Sequence, residues 1–332
     1  MTEFNYIQIR TVANLPSRCY ASAGRRAQMI QLPIYTCKIA FTAKNPEKLP
    51  HLPFSTFRGA FGRALRSISC VLKGTKECRK CPLKESCAYG YLFETPRPHW
   101  AQKLRKYPYV PHPFVFSLPY PLKGKSEFTV TFTLFGEAVK FTPYVIMAIQ
   151  TMGSNGIGKD RCKLHINSIQ DASSGRELLK SGEIFYPEEL KAPNIKYKNS
   201  IELTFETPTT LRFNRRYIKP SELEFHILIR NLLRRLSALS YFHTGKELQL
   251  DFKRIIELSQ EVKITHKNLH TIKTSRYSKR QKTKYKMEGF IGQVKFEGEL
   301  SEFSEILWIG QHTHVGKYTS FGFGKYTVNP LH

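Results

Sequence analysis

Two stretches of this chain repeat one order of features, and that duplication constrains the fold more than any single motif. LFGEAVKFTPYVIMAIQTMGSNGIGKDRCKLHI, from Leu134, and KFEGELSEFSEILWIGQHTHVGKYTSFGFGKYTV, from Lys295, each run strand, Gly-Glu, helix, glycine-rich loop, basic strand. In the first copy residues 128–135 alternate apolar and polar side chains, as a strand with one buried face does. Thr142-Pro143 supplies an N-cap and a first-turn proline for a helix ending near Met152, and Gly153, Gly156 and Gly158 form the loop. In the second copy residues 291–296 are the strand and Ser301 starts a helix ending near Gly310. Each copy is therefore a β-α-β half-unit.

Another strand and helix precede each half-unit. Residues 34–43 are strand-like, and Phe54, Phe57, Phe61 and Leu65 share one helical face, with Arg58, Arg63 and Arg66 elsewhere on that helix. Residues 200–213 are strand-like, and residues 223–242 form a long amphipathic helix carrying Arg230, Arg234 and Arg235. With the remaining sheet segments this gives β-α-β-β-α-β twice, an α+β chain of tandem ferredoxin-like domains with antiparallel sheets. The polar, proline-containing YPEELKAPNIKYKNS places the boundary near residues 185–200. The expected division is an N-terminal extension of no assigned role (1–30), a first domain (31–190) and a second (196–332).

The loop of the second copy, residues 310–326, holds two histidines, two lysines and four glycines. Gly316, Gly322 and Gly324 would let main-chain N–H groups approach phosphate oxygens, with Lys317 and Lys325 adding charge, although an isolated pattern of this kind also suits a plain turn. The chain as a whole favours a polyanion. It has 52 Lys+Arg against 26 Asp+Glu, a formal charge of +26, which in a globular protein points first to nucleic acid. Residues 263–287 contain nine Lys+Arg, two tyrosines and no acid. Such a run is a solvated arm or, with Tyr277 and Tyr285 among Arg276, Lys279 and Arg280, a nucleic-acid contact that orders on binding.

Seven cysteines, an odd number, argue against a secreted disulfide framework. Cys70, Cys78, Cys81 and Cys87 cluster with one C-x2-C step, which suits a structural Zn²⁺ site, an iron–sulfur cluster, or simply four buried thiols. No stretch approaches the length of a membrane span, and MTEFNYIQIR lacks the charged start and apolar core of a leader, so a cytoplasmic protein without a membrane partner is expected.

A tandem ferredoxin-like chain ending in such a loop and a basic, aromatic strand resembles the RAMP superfamily of CRISPR-associated proteins. HTHVGKYTSFGFGKY is similar to the C-terminal signature of the Cas6 family, endoribonucleases that cut precursor CRISPR RNA within its repeats. PFSTFRGAFGRAL resembles the superfamily's first-helix motif, and CRKCPLKESCAYGYLFE the cysteine-bearing insert of one branch. The resemblance implies RRM-like domains, precursor repeat RNA as partner, a possible place beside a CRISPR effector complex, and no cofactor for catalysis. It implies attack by a ribose 2′-OH on the adjacent phosphate, giving a 2′,3′-cyclic phosphate and a 5′-OH.

That chemistry needs proton transfer and cations, which directs attention to histidines near lysine and glycine. His314, followed by Val315-Gly316-Lys317, is the first candidate for general acid or base, with Lys317 as electrostatic stabiliser. In an extended segment His312 would point the same way as His314 and contact RNA. His51, between the first strand and first helix where several relatives carry their catalytic histidine, is the second candidate, and His99 in TPRPHWAQK a third. Tyr318 offers a stacking surface, and Gly316, Gly322, Gly324, Lys325, Arg230 and Arg234 complete the expected RNA contacts. The alternative is a non-cleaving subunit that holds guide RNA by the same loop.

Overall fold

The computed structural model describes residues 30–72, 77–104, 110–278 and 283–331. Lys279 and Arg280, the side chains of Arg276 and Tyr277, and nearly all of the expected N-terminal extension lie outside the described residues.

The first half runs β1 (Ile34–Ala43), α1 (Phe54–Ser69), β2 (Phe114–Ser117), β3 (Glu127–Phe135), α2 (Thr142–Asn155) and β4 (Leu164–Asp171), followed by a small hairpin of β5 (Leu179–Lys180) and β6 (Glu183–Ile184). Its sheet has the order β2-β3-β1-β4, with β1 antiparallel to β3 from Ile34↔Phe135 onward. The second half opens with β7 (Ser200–Thr209) and a short hairpin, β8 (Arg212–Phe213) and β9 (Arg216–Tyr217). It continues through α3 (Phe225–Thr244), α4 (Phe252–Glu261), β10 (Lys263–Ser278), β11 (Thr283–Glu297), α5 (Ser304–Thr313) and β12 (Tyr326–Pro330). Its sheet order, β10-β11-β7-β12, is that of the first sheet over again. Two antiparallel four-stranded sheets, each with its first strand inside and two helices packed on it, make the tandem ferredoxin-like architecture.

Local sequence accounts for most of these elements. On α1 the buried side chains Phe54, Phe57, Phe61 and Leu65 repeat at helical spacing; Phe57 and Phe61 meet Phe116 of the sheet edge-on, and Phe61 also packs at a tilt on Phe132. On β3, Phe128, Val130, Phe132 and Leu134 alternate inward. Three elements differ from the sequence reading, one of them the helix α4, which it did not contain. The basic run is no loose arm but the greater part of two long paired strands, joined from Lys263↔Glu297 to Ser278↔Thr283 with one register shift between Ile264 and His266. The ladder satisfies the backbone there even where the sheet beyond it ends. The strand expected through Phe213 instead stops at Thr209, and the chain turns into the β8–β9 hairpin.

The halves share their cores. Ile34, Val115 and Phe135 of the first half pack in the core of the second, while Phe323 and Met287 of the second are buried in the first. Buried polar groups fix the seam. In α3, His243 donates from Nε2 to the Pro111 carbonyl (2.7 Å) and accepts at Nδ1 from the Tyr91 hydroxyl (3.3 Å). Burial, first of all, holds its pKa down at about 4, with the charge of Arg235 adding to the effect, so it is a neutral ring.

Candidate active site

The helix α5 ends at Thr313, and His314 leaves it with φ 58°, turning the chain toward the first half. The loop then closes on itself and on its neighbours. Val315 N–H donates to the Gly324 carbonyl (2.9 Å), Lys317 N–H to Thr210 (3.0 Å) and Gly324 N–H to Pro208 (3.1 Å). Gly324, at φ 75°, has no room for a side chain, since a Cβ would overlap the Val315 carbonyl oxygen. At Gly322, φ 102°, a Cβ would lie 2.9 Å from the Phe116 carbonyl oxygen of β2. These glycines, with Gly316 against the Thr210 carbonyl, serve close backbone packing, and several of the N–H groups expected to face phosphate point inward.

His314 is part of that closure. It is 2% exposed, and its Nδ1 lies 3.0 Å from the Phe323 carbonyl, which can only accept, so the ring donates there. Burial, the main cause, lowers its pKa to about 3. The enclosed ring, held neutral by burial, fixes the loop through its bond to Phe323. His312 lies in the last turn of α5, not on an extended segment beside His314, and packs on Trp308 with centroids 4.6 Å apart. Burial, then the charge of Lys325, lowers its pKa to about 4.

Other residues face outward from the same junction. Lys317 is exposed, its ammonium over the rings of Tyr217 and Tyr318 at 4.8 Å from each centroid and hydrogen-bonded to the Tyr217 hydroxyl. Burial works against its charge, but hydrogen bonds with Tyr217 and Tyr318 outweigh that and raise its pKa. Lys325 pairs with Glu206 (2.7 Å), which ties it to β7. From the first half comes His51, exposed on the loop before α1, its ring edge-on to Tyr120 at 5.9 Å. Tyr120 touches Phe54 (5.8 Å), Phe54 meets Phe323 (5.0 Å) and Phe323 meets Tyr318 (5.7 Å). A continuous chain of rings thus connects the His51 loop to the glycine loop.

Arg58 locks this arrangement, a role the sequence did not reveal. Its Nε donates to Ser320 Oγ (3.2 Å), its guanidinium lies over Phe93 and Phe321 (4.0 and 4.6 Å), and its Nη2 donates to His112 Nε2 (3.0 Å). His99 sits apart from the junction, exposed and 3.3 Å from Glu85.

Comparison with known proteins shows what each half is similar to. Residues 203–326 match the family described as CRISPR-associated endoribonuclease Cas6, and residues 32–195 match the AF_1859_N family, described as an N-terminal domain. The second half of the chain is similar to a Cas6 domain. An uncharacterized protein of Archaeoglobus fulgidus is 29% identical over 197 residues, a match spanning 56% of this chain and 63% of that protein. Among solved structures a Cas6 product complex superposes with a TM-score of 0.54 at 15% identity, covering 90% of this chain and 100% of the other. Cas6 of Thermus thermophilus gives 0.54 at 16% identity, covering 90% and 99%. At such identities the likeness is one of fold.

The remaining expected sites lie elsewhere. Arg230 and Arg234 stand on α3 beside a separate cleft. Cys70, Cys78, Cys81 and Cys87 do come together around one small cavity beside the end of α1. Yet among the described residues no three His, Cys, Asp or Glu side chains are grouped as a metal ion requires, so the expected zinc or iron–sulfur site is not supported. Burial, foremost, raises the pKa of Cys78, favouring the thiol over the metal-binding thiolate. Among the described residues no helix is long and apolar enough to cross a membrane.

Proposed function

We propose that this chain is an endoribonuclease that cleaves precursor CRISPR RNA within its repeats without a catalytic metal ion. The ribose 2′-OH attacks the adjacent phosphorus in line. The 2′-O–P bond forms as the P–O5′ bond breaks, one proton leaving the 2′-oxygen and one reaching the departing 5′-oxygen. His51 performs one of these two transfers, and Lys317 offsets the charge that builds on the pentavalent phosphorane. Tyr318 and Tyr217 offer ring faces to the flanking bases. The observation that carries this reading is the meeting of an exposed histidine loop from one half with the cationic, aromatic rim of the glycine loop from the other.

Cleavage of repeat RNA should persist in excess EDTA and leave a 2′,3′-cyclic phosphate. A single 2′-deoxy substitution at the cut should abolish it, because the nucleophile is gone. Cleavage of the deoxy substrate, or an absolute requirement for Mg²⁺, would rule this mechanism out. Tight binding of repeat RNA with no cut under any of these conditions would mark a guide-holding subunit instead.

A further inference from the structure

The surface between α3, α4 and the β8–β9 hairpin forms a cleft of about 620 Å³. Arg212, Arg215, Arg230 and Arg234 line it, and no carboxylate does. Among the described residues none of the four forms an ion pair, and the buried Nε of Arg230 has no hydrogen-bond partner. Gathering four guanidiniums without a counter-charge is unfavourable in a folded protein unless an anion joins them, and their planar forks fit phosphate oxygens. Two rings share the cleft, Phe213 beneath the Arg230 guanidinium (6.0 Å) and Phe252, 36% exposed at the start of α4.

The backbone holds these groups in place before any ligand arrives. Asn231, buried in α3, binds both main-chain groups of Arg212, accepting from its N–H (3.2 Å) and donating to its carbonyl (3.1 Å). Phe213 pairs with Arg216, so Asn214 and Arg215 form a two-residue turn with φ of 47° and 66°. The second position of such a turn favours glycine. Here it is an arginine, kept at some backbone strain with its side chain on the cleft. The next strand of the same hairpin carries Tyr217, which is bonded to Lys317 at the candidate active site. The hairpin therefore joins the two places.

We propose that this cleft is a second RNA subsite, in which the arginines hold the phosphates of a single-stranded stretch and the two phenylalanines stack its bases, away from the cut. The proposal rests on the reading of the chain as an RNA-processing protein. It names what the helical face of the second half contributes to that reading: grip on RNA leading away from the scissile phosphate.

The test uses the full chain and repeat RNA carrying the 2′-deoxy substitution, with affinity followed against KCl concentration. Arg215→Gly relieves the turn while deleting a charge, and Arg212→Gln leaves the main-chain bonds to Asn231 intact, so the double variant should melt no lower than the parent. It should bind about tenfold more weakly, with a salt slope shallower by about 1.4, roughly 0.7 for each lost single-strand phosphate contact. RNA bearing 4-thiouridine outside the cut should crosslink to Phe213 or Phe252 in the parent. Unchanged affinity and slope in the double variant, or a parent that does not bind repeat RNA, overturns the proposal. A parent that fails to cut all-ribose RNA but shows this loss of binding removes only the nuclease reading and leaves the cleft as an RNA site.

Discussion

The glycine loops after α2 and after α5 close the same half-unit, yet they do different work. The first folds back on its own domain: Gly156 N–H donates to Met152 (3.0 Å), Ile157 and Cys162 exchange main-chain bonds, and Cys162 Sγ donates to the Asn45 carbonyl (3.2 Å). At Gly156 a Cβ would overlap the Arg161 carbonyl oxygen of the same loop, while at Gly158 nothing comes nearer to a Cβ position than 3.9 Å. The second loop leaves its domain, buries Phe323 in the core of the other half, presses Gly322 on β2 and accepts Arg58 at Ser320. Glycine is common to both and so belongs to the architecture. What the second loop adds is a clasp between domains, and the clasp sets an exposed lysine within one chain of rings from an exposed histidine.

The largest effect should come from separating the clasp from the chemistry. His51→Ala is expected to lower single-turnover cleavage by at least about 100-fold, the usual share of a proton-transfer group, with no change in melting temperature. His314→Ala should do the reverse, lowering the melting temperature while the folded fraction keeps its turnover. If both variants cut RNA at the parental rate, neither histidine is catalytic.

Alanine in the two loops tests the comparison itself. Gly324→Ala meets backbone as well as a strained φ and should cost about 3 kcal/mol or more, whereas Gly158→Ala meets only the φ of 81° and should cost about 1 kcal/mol. Equal costs in chemical denaturation would mean that the close approach of Gly324 to the Val315 carbonyl adds nothing to the strain of its φ.

Acid should weaken the seam by a smaller step. His243 and His314 have folded pKa values of about 4 and about 3, both below the free value. Their neutral forms stabilise the fold fully above about pH 6.5, and that contribution is lost as pH falls from there toward 4, because the unfolded chain takes up protons that the folded one does not. The slope in this window should reach about 1.4 kcal/mol per pH unit for each ring. His314→Gln should flatten it, and a slope indifferent to that substitution would show the ring to be accessible after all.

Much of this fold was legible because its elements advertise themselves locally. Phe54, Phe57, Phe61 and Leu65 on α1, and the alternation along β3, needed no tertiary knowledge. The helix α4 escaped notice because it buries little more than Ile255 and Ser259, although Asp251, which caps it by accepting from Arg254 N–H (3.0 Å), was a readable signal. The β10–β11 arm was hidden by its charges, which resemble a solvated tail until the pairing is known. At the site, His51 and Lys317 could be named as candidates, but which histidine faces solvent depends on where Phe323 seats itself. Arg58 reaches Ser320 across 262 residues, a contact that no spacing rule could supply.

The strand β10 ends the second sheet, so one side of its sixteen residues offers main-chain hydrogen bonds to whatever comes alongside. Exposed Lys263 and Lys273 along that rim repel an identical rim on another molecule. The same salt that loosens RNA also silences this repulsion, so concentrated stocks kept in strong brine to stay free of nucleic acid are the ones in which copies should begin to join edge to edge.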